Sequence, residues 1–466
     1  MLSFFSFLKR VYNAVSPPIA APLPDSKPVK FGILGAAAIA PSAIIDPAKS
    51  HPEVVVYAVA ARDIRRAEAF AKKHGIEKVY GGLKGYQELL DDPEVEAIYN
   101  PLPNGLHYEW TMKALLAGKH VLLEKPSSDS AEETRKMFEL AESKELVLLE
   151  AFHYRFHPAI QRAKAILDSG ELGKIKSIST TLMVPAGFVS ADDIRFNFDL
   201  GGGAMMDMGT YTLNCIRYLA SANPVSVLSA SAEISAPSPL IDRRTTATLE
   251  FPNDIIGTLT CDLSVPWRFV PTRPSISAKV ECEGGTLEVY NYVMPTVYHS
   301  ITVTKRGRAK RVEKAYKFET KGEDWWTTYR YQLEAFVDQL KGRTPQTWLD
   351  KEDAIGNMEW IEKIYEKVSA HFCFSTIDAD TLKSQSWELV QSQYILSLEL
   401  MMVYYGGCYC LRILSFTITE NIRRSNISGK YLQSGHGTIR CEKMDERQVY
   451  TAMSVQERCY STACRI

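Results

Sequence analysis

The chain has 466 residues, with 54 lysines and arginines against 55 aspartates and glutamates, so its formal net charge is -1. This balance gives no reason to expect nucleic acid or an anionic membrane as a partner. The hydrophobic fraction of 45% and the charged fraction of 23% are typical of a globular protein with two or three domains. Six of the nine cysteines lie in the last 97 residues, and the others have the spacing of neither a disulfide framework nor a metal site. We therefore expect a reducing, cytoplasmic setting.

Residues 1–28 are predicted to be a leader and linker. An apolar segment at residues 2–8 is followed by Lys9 and Arg10, whereas a secretory signal places its charges before the apolar run. Five prolines between residues 17 and 28 indicate that the rest is an extended linker. We expect a short amphipathic or disordered leader without stable membrane insertion.

Residues 29–150 alternate between short apolar strands and helices. Strands are predicted at 54–61, 97–99, 120–124 and 146–149, and the helices between them at 64–74, 105–117 and 130–143. Ser130 and Glu133 have the spacing of a capping box, which supports the start of the last of these helices. Short strands separated by helices of this length predict parallel β-α-β units, that is, an N-terminal Rossmann domain in an α/β protein.

Residues 151–369 are predicted to form a second, α+β domain. A helix at 158–169 is followed by segments of alternating polarity, which predict a large, mostly antiparallel open sheet. The predicted strands are 175–184, 225–234, 245–251, 255–263, 278–283 and 286–290. Helices at 325–341 and 351–368 either complete this domain or pack back on the first.

Residues 370–466 differ from the rest, because they contain no proline and show no sustained periodicity. Their most apolar part, 396–416, is interrupted by Glu399 and Arg412, which argues against a membrane span. We predict a poorly ordered extension; a small appended domain is the alternative.

The stretch 31–40, Phe-Gly-Ile-Leu-Gly-Ala-Ala-Ala-Ile-Ala, predicts a strand, a glycine turn and a helix start. Such a turn lets the backbone approach a pyrophosphate at a helix N-terminus. The predicted cofactor-binding residues of the turn are Gly35, Ala36, Ala37, Ala38 and Ile39. Of the glycines in the pattern G-x-G-x-x-G only Gly35 is present, since Ala37 and Ala40 occupy the other two positions. An ordinary strand–turn–helix unit is the alternative.

Arg62 follows the second predicted strand and bears on the type of cofactor. NAD enzymes place a carboxylate there to bind the ribose 2′-hydroxyl. A guanidinium can instead form two hydrogen bonds to a 2′-phosphate, which a carboxylate would repel. The sequence therefore predicts a preference for NADP; the alternative is that Arg62 is the solvated start of the next helix.

Glu124, Lys125 and Pro126 stand at the carboxyl end of a predicted strand. Ligands of open α/β sheets bind at that edge. A lysine beside a nicotinamide can form a hydrogen bond to the substrate hydroxyl that loses its proton. Taken alone, the three residues could equally be a strand-terminal turn, and Pro126 a proline that follows a cis bond.

Together the motifs resemble the glucose–fructose oxidoreductase/inositol dehydrogenase (Gfo/Idh/MocA) family. Besides the glycine turn, the resemblance rests on the segments 99–107 (YNPLPNGLH), 124–126 (EKP), 150–155 (EAFHYR) and 201–211 (GGGAMMDMGTY). It covers residues 29–368 and is greatest to the branch of NADP-dependent D-xylose dehydrogenases and dimeric dihydrodiol dehydrogenases.

The resemblance implies catalytic roles for Lys125, Asp207 and Tyr211. Tyr211 stands where the inositol dehydrogenases have histidine, and Asp207 would orient the other two. Whether Lys125 or Tyr211 takes the proton stays open. The resemblance further implies cofactor contacts by residues after strand ends and at the domain junction, namely Asn100, Pro101, Asn104, His107, Glu124, Lys125 and Arg155.

For the residues of 100–107 the alternative is a turn before a helix N-terminus. His153 and His157 could be metal ligands by type, but no pattern of carboxylates or cysteines completes a site, so no metal is predicted.

The function implied is an NADP-dependent oxidoreductase that oxidises a sugar hydroxyl, as in D-xylose to xylonolactone, or a trans-dihydrodiol. A homodimer through the sheet domain is expected, because a broad half-apolar sheet would otherwise stay exposed. The alternative is a non-catalytic NADP-binding regulator or scaffold on the same fold.

Overall fold

The chain divides into two units, residues 1–374 and 375–466. The computed structural model describes residues 2–21, 23, 27–190, 192–235, 238–266 and 275–375, together with two short strands of the second unit. Those strands, Leu432–Ser434 and Gly437–Ile439, pair antiparallel. The sequence predicts a poorly ordered extension from residue 370. Beyond residue 375 this extension lies outside the described residues, apart from the two strands.

The leader begins with a helix, α1 (Leu2–Val15). Arg10 of this helix is buried. Its guanidinium lies 3.7 Å from the centre of the Tyr316 ring and donates a hydrogen bond of 3.3 Å to the carbonyl oxygen of Val297. These contacts hold α1 against the loops that contain Val297 and Tyr316.

The first sheet has six parallel strands in the order β3-β2-β1-β4-β5-β6. The strands are β1 (Val29–Leu34), β2 (Val54–Ala61), β3 (Lys78–Gly81), β4 (Ala97–Asn100), β5 (His120–Leu123) and β6 (Leu148–Glu150). This order changes direction between β1 and β4, which is where ligands of doubly wound sheets bind. The predicted Rossmann domain is confirmed.

The helices between these strands are α2 (Asp46–Lys49), α3 (Ile64–His74), α4 (Gly85–Asp91), α5 (His107–Leu116) and α6 (Ala131–Ser143). The Ser130 hydroxyl accepts a hydrogen bond from the Glu133 N–H, as the capping box predicts, although the Glu133 carboxylate accepts from the Asp129 N–H. Sequence analysis missed β3 and α4. The four residues of β3 are all only half-buried, so no apolar run marks this edge strand.

The second sheet has eight strands in the order β14-β13-β12-β11-β7-β10-β9-β8. They are β7 (Ile175–Pro185), β8 (Ser226–Ser235), β9 (Ser238–Phe251), β10 (Ile255–Val265), β11 (Ser275–Cys282), β12 (Gly285–Tyr290), β13 (Ser300–Lys305) and β14 (Arg311–Glu313). Every pairing is antiparallel except that of β7 with β10. The mostly antiparallel sheet is thus confirmed, with β13 and β14 in addition to the predicted strands.

Four helices accompany this sheet: α7 (Pro158–Asp168), α8 (Thr210–Ala220), α9 (Thr328–Leu340) and α10 (Lys351–Ser375). Sequence analysis did not predict α8, which lies against β7, where the Thr180 hydroxyl donates to the carbonyl oxygen of Thr212. Helix α10 packs back on α6 of the first domain. Glu362 accepts from the Ala131 N–H at 2.8 Å, and Glu359 accepts from Arg135 at 3.0 Å.

No helix among the described residues is both long enough and apolar enough to cross a membrane.

Candidate active site

The glycine turn leaves β1 at the edge where the strand order changes direction. Gly35 has a φ of +94°, a conformation that L side chains rarely adopt, and its N–H donates to the carbonyl oxygen of Ala60 at 2.7 Å. The following residues, Ala37 to Ile39, are half-buried or exposed, so their backbone is accessible. A π-helical turn, Pro41–Ile45, then begins and runs into α2. A strand, a positive-φ glycine and a helix start with small, open residues between them fit the pyrophosphate of a dinucleotide.

The end of β2 carries three exposed arginines, Arg62, Arg65 and Arg66. Arg66 donates to the carbonyl oxygen of Ala36 in the glycine turn at 3.1 Å, and Arg65 lies 3.6 Å from Asp63. Within the part of the chain that the structure describes, no carboxylate pairs with Arg62. This cluster fits a phosphate group beside the turn. Sequence analysis named Arg62 alone; the other two lie in the first turn of α3.

Lys125 and Asp207 meet at the carboxyl end of β5. The Lys125 ammonium donates to Asp207 Oδ1 at 2.9 Å and to the carbonyl oxygen of Asp207 at 3.0 Å. On the other side, Arg195 Nε donates to Asp207 Oδ2 at 2.8 Å. Burial alone would raise the pKa of Asp207, but Lys125 and Arg195 outweigh it and lower that pKa to about 2. The Lys125–Pro126 peptide bond is cis.

Arg195 was not predicted. It lies on a short 3₁₀ helix, Ile194–Phe196, where Asp193 also accepts from its Nη1 at 2.9 Å. The sequence placed it in a loop between two predicted strands, and a lone arginine there has no distinguishing pattern. We name Lys125, Asp207 and Arg195 the charged cluster.

Tyr211 lies in the first turn of α8, next to the charged cluster. Lys125 Nζ is 4.9 Å from the centre of its ring, and its hydroxyl oxygen is 2.9 Å from His153 Nε2. Burial, followed by nearby Tyr329 and Glu124, raises the pKa of Tyr211 well above its usual value. Tyr211 is therefore a neutral phenol in this structure.

His153 connects Tyr211 to helix α9. Its Nδ1 lies 2.9 Å from Thr328 Oγ1, and its ring packs on Tyr329 with the ring centres 4.1 Å apart. Burial, with Lys125 nearby, lowers the pKa of His153 to about 3, so the imidazole is neutral. Sequence analysis considered His153 only as a metal ligand, and the described residues hold no group of three histidines, cysteines or carboxylates placed to bind a metal. We name Tyr211, His153 and Thr328 the neutral chain.

Glu124 and Asn100 are buried at the ends of neighbouring strands. The Tyr99 hydroxyl donates to Glu124 Oε1 at 2.7 Å, and burial raises the pKa of Glu124. Asn100 accepts from the Leu102 N–H and donates to Thr111, so it stabilises the loop after β4. Pro101, the next residue, is half-buried at the same edge. The segment 100–107 thus forms a turn before α5, which is the alternative that the sequence left open.

His107 and Asn104 hold this loop to other parts of the site. The two ring nitrogens of His107 each lie 2.7 Å from a carbonyl oxygen, one of Pro126 and one of Leu102. Asn104 donates to the carbonyl oxygen of Gly201 at 2.7 Å. A Cβ at Gly201, where φ is +70°, would lie 2.8 Å from Asn104 Cβ and 3.1 Å from the Gly105 nitrogen, so this close approach between the two domains favours glycine.

Arg155 lies apart from these residues. Its guanidinium is buried, donates to Asp353 Oδ2 at 2.8 Å and lies 3.7 Å from the centre of the Tyr218 ring. Arg217 binds the same carboxylate at 2.8 Å. The structure therefore joins Arg155 to α8 and α10 rather than to the charged cluster or the glycine turn.

Comparison with known proteins gives matches along most of the first unit. The model of an oxidoreductase family with an NAD-binding Rossmann fold (Gfo/Idh/MocA) matches residues 29–152, and the model of the Gfo/Idh/MocA C-terminal domain matches residues 160–288. The chain is 35% identical to D-xylose 1-dehydrogenase (NADP(+)) 2 of Haloferax volcanii, over 72% of this chain and 96% of that protein.

Two further similarities concern different substrates. Human trans-1,2-dihydrobenzene-1,2-diol dehydrogenase is 34% identical over 45% of this chain and 60% of its own length. The crystal structure of a 3-ketoreductase from Actinomadura kijaniata, in complex with NADP and TDP-benzene, is similar with a TM-score of 0.63 and 25% identity. That similarity covers 73% of this chain and 98% of the ketoreductase.

Proposed function

Because the chain belongs to the Gfo/Idh/MocA oxidoreductase family, we propose that it is an NADP-dependent dehydrogenase of sugars or trans-dihydrodiols. The observation that carries this proposal is the charged cluster, in which Asp207 holds the ammonium of Lys125 at the carboxyl edge of the parallel sheet. D-xylose, oxidised at its hemiacetal hydroxyl to the lactone, is the first substrate we propose, and a trans-dihydrodiol is the second.

NADP rather than NAD is proposed because of the arginines after β2. A 2′-phosphate would meet the guanidinium of Arg62, with Arg65 and Arg66 one turn away. The bound nicotinamide accepts the hydride. The glycine turn from Gly35 to Ile39 would hold the pyrophosphate, and the carboxyl ends of β4 and β5 would face the nicotinamide.

This cofactor preference has its own test. Replacing Arg62 by Ala should lower the ratio of kcat/KM for NADP to that for NAD by about 10-fold or more, since a charge-assisted contact is lost. Arg308→Ala, at an exposed position between β13 and β14, is the matched control and should leave the ratio unchanged. An unchanged ratio in the Arg62 variant would refute the assignment.

The charged cluster would bind the reacting oxygen. Two of the three N–H groups of Lys125 are used by Asp207, which leaves one for the substrate hydroxyl. Arg195 keeps the Asp207 carboxylate in place, so that Lys125 does not move when the substrate arrives. Negative charge that develops on the substrate oxygen would be stabilised by the ammonium.

We also propose a homodimer in a reducing, cytoplasmic setting. Apolar side chains stay exposed on and beside the edge strand β8 and its neighbour β9, namely Val225, Leu228, Ile234 and Leu240. Free, buried thiols are found at Cys215, Cys261 and Cys282. Sedimentation of the full chain would test the dimer, and Leu228→Glu should shift it towards the monomer.

A substrate panel tests the activity directly. The purified full chain is mixed with NADP and D-xylose, other aldopyranoses or trans-dihydrodiols, and NADPH absorbance is followed. Turnover of one of these classes, lost in the Lys125→Met variant, supports the proposal. Tight binding of NADPH without turnover of any of them would refute it and favour the non-catalytic regulator.

A further inference from the structure

Helix α1 packs on the first unit with one of its faces. Arg10 is buried, and Phe7, Val11 and Ala14 are half-buried. These four positions follow one another at the intervals that place side chains on one side of a helix. The family model that matches the first domain begins at residue 29, so α1 precedes the part of the chain shared with that family.

The other face of α1 is apolar and exposed. The side chains of Phe5, Leu8, Tyr12 and Val15 have exposed fractions of 64%, 45%, 69% and 74%. Intervals of three or four residues separate them, so they form one stripe along the helix. We name these four residues the apolar stripe. An exposed stripe on a helix whose other face is already packed indicates a surface that binds a partner.

The first unit holds α1 in place through Arg10, which contacts the Tyr316 ring and the carbonyl oxygen of Val297. The two loops that carry these groups are themselves joined, because the Ala315 N–H donates to His299 Nε2 at 2.9 Å. A helix of 14 residues is only marginally stable on its own in water. Anchored in this way, α1 meets a partner as a preformed helix, and the affinity is not reduced by a cost of ordering it.

Lysines accompany the apolar stripe. Lys9 is exposed on α1 next to Leu8. Lys314 and Lys317 are exposed on either side of Tyr316 in the sequence, and the Lys314 ammonium lies 4.4 Å from the centre of the Tyr298 ring. Within the described residues no carboxylate pairs with any of these three lysines. The leader has no acidic residue before position 25, so the charge beside the stripe is positive.

We propose that the apolar stripe, with Lys9, Lys314 and Lys317, binds reversibly to the surface of membranes that contain anionic lipid. A helix with aliphatic and aromatic side chains on one side and lysines beside them lies between the lipid head groups and the acyl chains. Each lysine close to an anionic surface adds attraction. The formal net charge of -1 of the whole chain does not show this local excess of positive charge.

A second copy of the chain fits the stripe less well than a membrane does. Two such surfaces in contact would bring the lysines of one copy close to those of the other, and like charges across an interface oppose association. An anionic lipid surface offers the opposite charge to the same lysines. The cytoplasmic leaflet carries such lipids, in agreement with the setting proposed above.

Binding to lipid vesicles tests this proposal without any substrate or cofactor. The purified full chain is mixed with vesicles of phosphatidylcholine, alone or with phosphatidylserine, and the bound fraction is measured by co-sedimentation. At low salt, binding to the vesicles with phosphatidylserine should be at least about 10-fold tighter. This difference should shrink as the salt concentration rises, because salt screens exposed charges.

Two double variants test the two parts of the surface. Leu8→Glu with Tyr12→Glu breaks the stripe, and Lys314→Glu with Lys317→Glu reverses the charge beside it. Each should weaken binding to the anionic vesicles by about 10-fold or more. Since all four side chains are exposed, the melting temperature should stay within about 2 °C of that of the wild type.

The matched controls lie on exposed parts of the first domain. Leu116→Glu, at the end of α5, and Lys144→Glu, just after α6, should leave vesicle binding unchanged. The proposal is overturned by absence of binding, by equal binding to both kinds of vesicle, or by binding that neither double variant weakens. Sedimentation without lipid tests the other occupant. A dimer that dissociates in the stripe variant would show that a second copy covers α1, and this too would overturn the proposal.

Discussion

The two sides of the candidate active site differ in charge and in access to water. The charged cluster has two cations and one anion, and Arg195 is partly exposed. The neutral chain has no formal charge and is buried throughout. The formal charges therefore lie nearer to solvent than the neutral hydrogen-bonding groups do. Burying the charged cluster as deeply would cost far more than burying the neutral chain, because ions lose more hydration free energy than hydroxyls or imidazole do.

The largest effect is expected where the charged cluster meets the substrate. Replacing Lys125 by Met should lower kcat by about 10³-fold, since the group that stabilises the developing charge is lost. The far-UV circular dichroism spectrum should match that of the wild type, and this is the control for correct folding. Residual activity above one tenth of the wild type would place the chemistry on the neutral chain alone.

Asp207→Asn should lower kcat by about 10²-fold, because Lys125 and Arg195 lose the carboxylate that orients both. The same variant tests a pH dependence of stability. The pKa of Asp207 is about 2 in the folded chain and near 3.8 in the unfolded chain. Its stabilisation, about 2 kcal/mol, is therefore complete above pH 4 and is lost as the pH falls towards 2.

Denaturant unfolding between pH 2 and 6 measures how much the ionised Asp207 carboxylate stabilises the folded chain. The difference in the free energy of unfolding between the wild type and Asp207→Asn should shrink as the pH falls. A difference that stays constant over this range would mean that Lys125 and Arg195 do not stabilise the carboxylate.

Glu150 is a second buried carboxyl group of the first unit, and its raised pKa makes the stability of the chain depend on pH. One carboxyl oxygen accepts from the Ser127 N–H at 2.8 Å, and the other is buried without a partner among the described residues. Burial raises its pKa to about 8, so the folded chain holds a proton that the unfolded chain loses above about pH 4.5. Folding is then penalised increasingly as the pH rises from 4.5 to 8.

Glu150→Gln should therefore be more stable than the wild type at pH 8, by about 4 kcal/mol, and equal to it near pH 4. Melting temperatures at the two pH values measure this. A variant that is less stable at both would mean that Glu150 is ionised and paired.

The smallest effect is expected at the outer edge of the charged cluster. Arg195→Gln leaves the contact between Lys125 and Asp207 in place, so kcat should fall by only about 10-fold. Arg195→Lys should recover part of this loss. A fall as large as that of Asp207→Asn would show that Arg195 itself binds the substrate.

The sequence predicted the parallel sheet well because each strand is a short apolar run between helices of regular periodicity. It missed β3, which is half-buried and only four residues long, for lack of such a run. It also missed α8, where Tyr211 was noticed as part of a motif and the helix that carries it was not.

Within the site, the contact of Lys125 with Asp207 was expected from the family resemblance, whereas the neutral chain was not. His153 and Thr328 are 175 residues apart, and no local sequence pattern predicts that their side chains are in contact. For Arg155, by contrast, the sequence suggested a contact other than the one that the structure shows. Its motif suggested a cofactor contact, but the side chain binds Asp353, almost 200 residues further on, which only the folded chain reveals.

The return of α10 to the first domain has a consequence for biosynthesis. Arg155 and Arg217 are translated well before Asp353, whose carboxylate both of them bind. A nascent chain that stops short of this residue exposes two guanidiniums without their acidic partner. Arg155 and Arg217 therefore reach their final ion pairs only after α10 has left the ribosome.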